Sequence, residues 1–131
     1  MSIFKKTMSD ALRGVVVCHG GLAKALVEAA ESISGVTGVL RPVSNSGCDR
    51  DSLEQRVVEA VDGQPSVVFV DLASGSCLFA VLKRMRALPD IKVVTGVNLA
   101  MLVDFVFHVS LTPEAAAERA IAAGTKAIRI P

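Results

Sequence analysis

The sequence predicts a three-layer α/β protein, in which a mostly parallel β-sheet lies between helices. Two observations support this fold class. Short runs of β-branched and aliphatic residues alternate along the chain with longer segments whose apolar residues recur at helical spacing. Strands that alternate with helices form parallel sheets with helices on both faces. We expect the strand order 2-1-3-4, with a short C-terminal strand added at one edge.

The first half of the chain contains two strands and two helices, predicted from spacing and capping signals. A β-branched run ends at His19, and apolar residues recur at helical intervals from Leu22 until Gly35, which is expected to end the first helix. The segment Asp51-Ser52-Leu53-Glu54 has the form of a capping box and predicts the start of the second helix. The two strands are expected at residues 13–18 and 36–43.

The second half contains the clearest strand, residues 64–72, which is apolar on both faces and is therefore expected at the centre of the sheet. Thr112, Pro113 and Glu114 supply a capping residue, a proline at the first helical position and an acid in the first turn. They predict a helix that runs to Gly124. Further helices are expected at residues 78–88 and 98–107, a fourth strand at 91–97 and a final strand at 126–130.

Length and composition indicate one domain with an aliphatic core. We expect residues 1–12 to form an N-terminal extension and residues 13–131 to form the domain. Hydrophobic residues make up 51% of the chain, yet it has five Phe and no Trp or Tyr. The net charge is +1, and the one short basic run, Lys83-Arg84-Met85-Arg86, fits an exposed helix face. Nucleic acid is therefore not an expected partner.

The sequence favours a cytoplasmic protein. Lys5 and Lys6 are not followed by the apolar segment of a signal peptide. No stretch reaches the about 18 apolar residues that a membrane span needs. The three cysteines, Cys18, Cys48 and Cys77, are odd in number and lack C-x-x-C spacing. This cysteine usage is typical of a reducing compartment.

Two titratable residues are expected to meet at one edge of the sheet. In folds of this type, ligands bind beyond the carboxyl ends of the strands, where the strand order reverses. The first strand ends at His19 and the third at Asp71. Asp71 is expected to hydrogen-bond one ring nitrogen of His19, which makes the other nitrogen the nucleophile. We therefore interpret His19 as an acceptor and donor of a phosphoryl group, against the alternatives of an incidental strand-end histidine and a capping or turn aspartate.

Several small residues near these strand ends are suited to phosphate oxygens. Gly20 follows His19 and opens a helix whose positive end favours an anion. Ser74, Gly75 and Ser76 precede another helix and offer backbone N–H groups and hydroxyls. Plain helix capping explains the same residues, so both interpretations remain open at this point.

Other chemistries fit the sequence less well. Neither a P-loop nor a dinucleotide-binding glycine motif is present. A response-regulator receiver would use Asp71 as the phosphoacceptor and Thr95 as its partner, but it needs an acidic cluster after the first strand, where this chain has Cys18-His19. Metal binding or thiol redox chemistry would use the cysteines with the histidines, which lack clustered zinc spacing. We expect buried, inert cysteines, no metal, and His108 at the surface or at an edge.

Three motifs resemble the mannose-type (mannose/fructose/sorbose) IIA domains of the bacterial phosphoenolpyruvate-dependent sugar phosphotransferase system. The resemblance extends over nearly the whole chain from Arg13 onward. The family's first strand ends in T-H-G, and here the sequence is V-V-V-C-H-G-G, which makes His19 the phosphorylated histidine. The family's D-x-x-G-G-S-P is D-L-A-S-G-S-C here, and its G-V-N-x-P-M-L is G-V-N-L-A-M-L here. The departures include Cys18 for Thr, Cys77 for Pro and Phe79 for Asn.

The resemblance implies a chain of phosphoryl transfers. The phosphocarrier HPr would charge His19, and His19 would pass the group to a cysteine or histidine of a separate IIB component. No organic cofactor or metal is implied. The resemblance also implies a homodimer that exchanges a terminal strand, here residues 126–130. A regulatory role in the phosphotransferase system without sugar transport is the alternative, and the altered residues leave the sugar and the partner open.

Overall fold

The structure, a computed structural model, describes residues 11–131 and consists of four strands and five helices. The strands form one parallel sheet, and its order confirms the predicted 2-1-3-4. In chain order the elements are β1 (Arg13–Cys18), α1 (Leu22–Ser34), β2 (Leu40–Ser44), α2 (Arg50–Val61), β3 (Ser66–Val70), α3 (Ser76–Met85), β4 (Ile91–Thr95), α4 (Leu99–Phe105) and α5 (Pro113–Lys126).

Two apolar cores, one on each face of the sheet, account for the three layers. Alternate residues of a strand point to opposite faces, so Val16 packs with α1, α4 and α5, whereas Val15 and Val17 pack with α2 and α3. Phe69 and Phe105 meet edge to face in the first core, with ring centroids 5.3 Å apart. The central strands β1 and β3 are thereby covered on both sides, which fixes the positions of their carboxyl ends.

Capping residues determine where three helices begin or end. Gly35 adopts the left-handed conformation (φ 75°) after α1, and Thr112 accepts a hydrogen bond from the amide of Ala115 ahead of α5, as predicted. The predicted capping box is wrong. Helix α2 begins at Arg50, and Asp49 caps it by accepting from the amide of Ser52 at 2.8 Å. Glu54 is buried instead and forms an ion pair with Lys83.

The predicted C-terminal strand is also wrong for the single chain. Helix α5 does not stop at Gly124 but continues to Lys126, and the residues that follow are not a strand. Gly124 is a packing residue, because a Cβ atom there would lie 2.6 Å from the side chain of Met101. Because Gly124 has no side chain, α5 can pack close to α4. The glycine does not end the helix. Strand β4 is therefore paired with β3 alone among residues 11–131.

The predicted start of the domain, at residue 13, lies close to the first residue that the structure describes. Residues 1–10 of the predicted extension are outside the described part of the chain. Leu12 is buried, and its amide donates to the carbonyl of Val109. None of the helices formed by residues 11–131 has the length and apolar character to cross a membrane.

Candidate active site at the carboxyl ends of β1 and β3

The parallel pairing of β1 with β3 brings His19 and Asp71 together. Val17 is opposite Val70 in the register, so the residues just beyond the two strands emerge side by side. Asp71 Oδ2 accepts a hydrogen bond from the His19 backbone amide at 2.9 Å and lies 2.9 Å from His19 Nδ1. One carboxylate oxygen thus holds both the backbone and the ring of the histidine.

This contact determines which ring nitrogen is available for reaction. A carboxylate oxygen accepts hydrogen bonds, so Nδ1 carries the proton that it donates to Asp71. In the neutral ring Nε2 then holds the free lone pair. The His19 side chain is 40% exposed, whereas that of Asp71 is 9% exposed. A partly exposed imidazole is thus oriented by a nearly buried carboxylate, an arrangement that suits a nucleophile.

Asp71 is held in its charged form. Burial by itself would raise its pKa, but hydrogen bonds from the His19 amide and ring, followed by one from the Leu72 amide, outweigh burial and keep the pKa below its ordinary value. The Leu72 amide donates to Oδ1 at 3.0 Å, so both carboxylate oxygens have donors. The negative charge is available to stabilise positive charge on the imidazole ring.

Gly20 is fixed by Ser44, the last residue of β2, and by Asn45 in the loop that follows. The Gly20 amide donates to Asn45 Oδ1 at 3.0 Å, and the hydroxyl of Ser44 donates to the Gly20 carbonyl at 2.6 Å. Gly20 has a φ of 60°, which favours glycine. The Arg56 guanidinium donates to the carbonyls of Ser44 and Ser46 and holds this loop. Asn45 was not predicted as a site residue. Its position directly after β2 could have indicated it, because β2 pairs with β1 and the two strands end at the same edge of the sheet.

The loop after β3 forms the other wall of the site. Gly75 precedes α3 with a φ of 97°, and a Cβ atom there would lie 3.9 Å from both Cε1 and Nε2 of His19. Ser74, Gly75 and Ser76 are exposed, and Ser76 is the first residue of α3. Among residues 11–131, neither serine hydrogen-bonds the His19 ring. The residue before α3 therefore lies beside the Nε2 edge of the ring, and α1 begins three residues after His19.

Cys18 and Cys77, the two buried cysteines near this site, are poor nucleophiles. Burial, and then the charge of Asp71, raises the pKa of Cys18 to about 12 and that of Cys77 to about 11. The Cys77 sulfur lies 3.8 Å from His19 Nδ1. Cys48 is half-buried, and its thiol donates to the Asn45 carbonyl. His108 lies just beyond α4, where Nδ1 is 2.8 Å from the carbonyl oxygen of Asp104.

Comparison with known proteins assigns the chain to a family. A family model described as the PTS system fructose IIA component matches residues 14–122. The search of curated proteins found no match. Similar folds include the phosphotransferase system component EIIA from Streptococcus agalactiae, which has a TM-score of 0.83 and 19% identity over 91% of this chain and 96% of that chain.

Two further solved structures share this fold. The mannose/sorbose specific IIA subunit from Enterococcus faecalis has a TM-score of 0.80 and 17% identity over 92% of this chain and 95% of that chain. The PTS IIA protein associated with the fucose utilization operon from Streptococcus pneumoniae has a TM-score of 0.72 and 24% identity over 94% of this chain and 96% of that chain. Since the family model spans most of the sequence and these structures share its fold, the chain belongs to the mannose-type IIA family of the phosphotransferase system.

Proposed function

We propose that this protein is a phosphoryl carrier of the sugar phosphotransferase system. His19 accepts a phosphoryl group on Nε2 from HPr and passes it to a IIB component. The observation that carries the proposal is the hydrogen bond between His19 Nδ1 and Asp71 Oδ2, because it leaves the Nε2 lone pair on the accessible edge of the ring. The family match supports the same chemistry.

In the forward step, the Nε2 lone pair attacks the phosphorus atom of the donor. The bond from Nε2 to phosphorus forms as the bond from phosphorus to the donor breaks, and the electron pair of that bond leaves with the donor. The ring becomes positively charged while Nδ1 keeps its proton, and Asp71 stabilises this charge from 2.9 Å. Transfer to IIB is the reverse displacement, with a cysteine or histidine of IIB as the nucleophile. Positioning and charge stabilisation account for most of such catalysis.

The groups proposed to hold the phosphoryl oxygens lie in the two loops next to His19. Ser74, Gly75 and Ser76 offer exposed backbone N–H groups and hydroxyls at the amino end of α3, whereas Gly20, whose own amide donates to Asn45, leads into α1 without a side chain that would obstruct the ligand. Gly75 approaches the Nε2 edge of the ring, and the loop from Ser44 to Asn45 holds Gly20. These groups stabilise the spread negative charge of the transferring group.

Exposed apolar side chains around the site favour docking of a protein donor. Leu22 follows Gly20 and Gly21 at the start of α1, Leu72 follows Asp71, and Phe79 lies one turn after Gly75. They are 45%, 54% and 61% exposed. The guanidinium of Arg50 lies 5.8 Å from the centroid of the Phe79 ring. A protein that covers these side chains would bring its own reacting group to Nε2.

The same proposal includes a cytoplasmic location and a homodimer. Ile128 and Ile130 are 77% and 97% exposed in the single chain, so the C-terminal segment presents apolar residues without a core to bury them. Strand β4 has a free edge among residues 11–131. Pairing of residues 126–130 with a second copy would cover both features. The exchanged strand then forms only in the dimer.

The test is reconstitution of the transfer chain. The protein is incubated with labelled phosphoenolpyruvate, the general phosphotransferase enzyme and HPr, and the labelled residue is mapped. Acid-labile label on His19 that is absent in His19→Ala supports the proposal. Acid-stable label on Asp71 or a serine overturns it. The phosphorylated protein is then mixed with candidate IIB components. Loss of label to a IIB component supports the carrier, whereas a change in affinity without transfer indicates a regulatory protein.

A further inference from the structure

Three potential metal ligands of different chemistry meet beneath the His19 ring. Nδ1 of His19, a carboxylate oxygen of Asp71 and the sulfur of Cys77 all lie within 4.8 Å of one another. Nδ1 is 2.9 Å from Asp71 Oδ2 and 3.8 Å from Cys77 Sγ. The three residues come from the ends of β1 and β3 and the start of α3, so the packing of the sheet and helix holds them together. This arrangement was not expected from the sequence, in which the cysteines and histidines lack zinc spacing.

The spacing of these atoms is close to that of a tetrahedral zinc site. Zinc bonds to nitrogen, oxygen and sulfur of ordinary length place neighbouring ligand atoms about 3.3–3.6 Å apart. The observed separations of 2.9 Å and 3.8 Å lie on either side of this range. Shifts of a few tenths of an ångström would bring these two separations to zinc distances, and the Asp71 oxygen and Cys77 sulfur, which lie within 4.8 Å of each other, would close onto the ion as it binds. A thiolate ligand favours zinc over magnesium or calcium, and three protein ligands leave the fourth position of a tetrahedral ion for water or another ligand.

We propose that His19 Nδ1, the Asp71 carboxylate and the Cys77 thiolate bind a thiophilic divalent cation of the zinc class, and that the bound ion prevents phosphorylation of His19. On binding, Cys77 releases its thiol proton to solvent and the ion replaces the proton on Nδ1. The neutral ring then carries its proton on Nε2. Nε2 thereby loses the free lone pair that attacks phosphorus, so the metal and the phosphoryl group exclude each other. The blocking effect rests on the proposed carrier function, whereas metal binding does not.

Cys77 distinguishes this site from a histidine–aspartate pair alone. Cys77 occupies the position of the proline in the family motif quoted above, so the sulfur ligand is a property of this chain. Cys77 is fully buried and faces the ring, whereas Cys48 is half-buried and donates to the Asn45 carbonyl. Cys48 therefore offers a matched control for a thiol near the site that is not a ligand.

The binding test uses Co²⁺ as a spectroscopic probe on the reduced, unphosphorylated full-length chain. We expect one Co²⁺ per chain, with a sulfur-to-cobalt charge-transfer band and the visible bands of tetrahedral cobalt, both removed by Zn²⁺. Cys77→Ser and His19→Ala should abolish the charge-transfer band, and Cys48→Ser should keep it. Circular dichroism checks that each variant is folded. No band in the wild-type protein, a band that survives in Cys77→Ser, or a band lost only in Cys48→Ser overturns the proposed ligand set.

The blocking test measures the rate of His19 phosphorylation with and without equimolar Zn²⁺. The rate of each protein with metal is compared with the rate of the same protein without metal. Zn²⁺ should stop labelling of the wild-type protein and leave Cys77→Ser at its own metal-free rate. Equal inhibition of both proteins, or of neither, overturns the blocking role. If the wild-type protein accepts no phosphoryl group even without metal, the carrier function fails. The cobalt result then still decides whether the metal site exists.

Discussion

Asp71 Oδ2 lies 2.9 Å from both the backbone nitrogen and the ring Nδ1 of His19, so one oxygen atom orients the proposed acceptor and fixes its tautomer. The backbone contact ties Asp71 to the end of β1, and the ring contact turns Nδ1 toward Asp71 and the Nε2 edge away from it. Because the side chain of Asp71 is 9% exposed, little water competes for that oxygen.

Asp71→Asn should slow phosphorylation of His19 without changing the site of modification. An asparagine amide donates to Nδ1 and favours the tautomer with the proton on Nε2, which is not nucleophilic. Loss of the orienting carboxylate costs about 10⁴-fold in a Ser-His-Asp triad, and we expect about 10–10³-fold at this more exposed site. Rapid-quench measurement of label transfer from HPr gives the rate. If a folded Asp71→Asn protein were phosphorylated at the wild-type rate, Asp71 would have only a structural role.

The contribution of Asp71 to stability should disappear in acid. Its pKa is lower in the folded chain than the ordinary value of about 3.9, so the unfolded chain binds more protons in this window and stability rises with pH there. The contribution is complete above about pH 4–5 and is lost as the pH falls through the folded pKa. Urea unfolding should show that the stability gap between the wild-type protein and Asp71→Asn narrows between neutral pH and about pH 3. A gap that stays constant or widens on acidification would contradict this sign.

Asn45→Ala should loosen the backbone beside the acceptor. The variant removes the oxygen that accepts the Gly20 amide, and loss of one such bond costs about 0.5–1.5 kcal/mol. We expect a drop of that size in the free energy of unfolding and a several-fold slower label transfer. Ser46→Ala is the matched control, because the hydrogen bonds of Ser46 in this loop use its backbone amide and carbonyl. If the two variants had the same free energy of unfolding and the same rate of label transfer, Asn45 would not contribute to the site.

Gly75→Ala should be destabilised by backbone strain. Gly75 has φ 97° and ψ −174°, a region that residues with a Cβ atom rarely adopt and that costs about 1–3 kcal/mol. The new methyl group would also touch the Nε2 edge of His19 at 3.9 Å. Gly21→Ala is the stability control, since Gly21 has a φ of −91° and open space around its Cα. Thermal unfolding of both variants measures the difference, and an unchanged melting temperature in Gly75→Ala would be evidence against this loop conformation.

The double variant Ile128→Asp/Ile130→Asp should be monomeric if the C-terminal segment is exchanged. Charged side chains at these two exposed positions oppose burial against a second copy and have no core contact to break in the single chain. Light scattering coupled to size-exclusion chromatography measures the mass, with a wild-type dimer as the expected reference. Arg129→Gln is the matched control and should remain dimeric. A wild-type monomer, or a double variant that stays dimeric, would exclude this exchange.

The sequence predicted the strand order and the contact between His19 and Asp71, because the signals for the strands recur along the chain. The apolar runs of β1 and β3 identified central strands, and the alternation of strands with helices identified a parallel sheet. Since parallel strands end at a common edge, the proximity of His19 and Asp71 followed from those two assignments. The helix ends at Gly35 and Thr112 were predicted because each signal acts through neighbouring residues.

The sequence-based predictions of helix ends were wrong where one residue type can serve either as a cap or as a packing residue. Gly124 was interpreted as a helix stop, but it permits the close approach of Met101 on another helix. Glu54 was assigned to a capping box, but burial turned it toward Lys83 on α3. In both cases the deciding neighbour is distant in sequence. Local pattern cannot distinguish a cap from a packing contact when the competing partner lies on another element.

The amino-acid sequence by itself determined the fold class, the order of the strands and the identity of the histidine–aspartate pair. These features depend on periodicity and on which residues follow buried strands, and both can be read along one chain. Only the tertiary structure decided which ring nitrogen of His19 is free, that Asn45 holds Gly20, and that Cys77 lies 3.8 Å from Nδ1. These contacts depend on distances of a few ångströms between separate elements, which are set by the packing of α3 and the β2–α2 loop against the sheet.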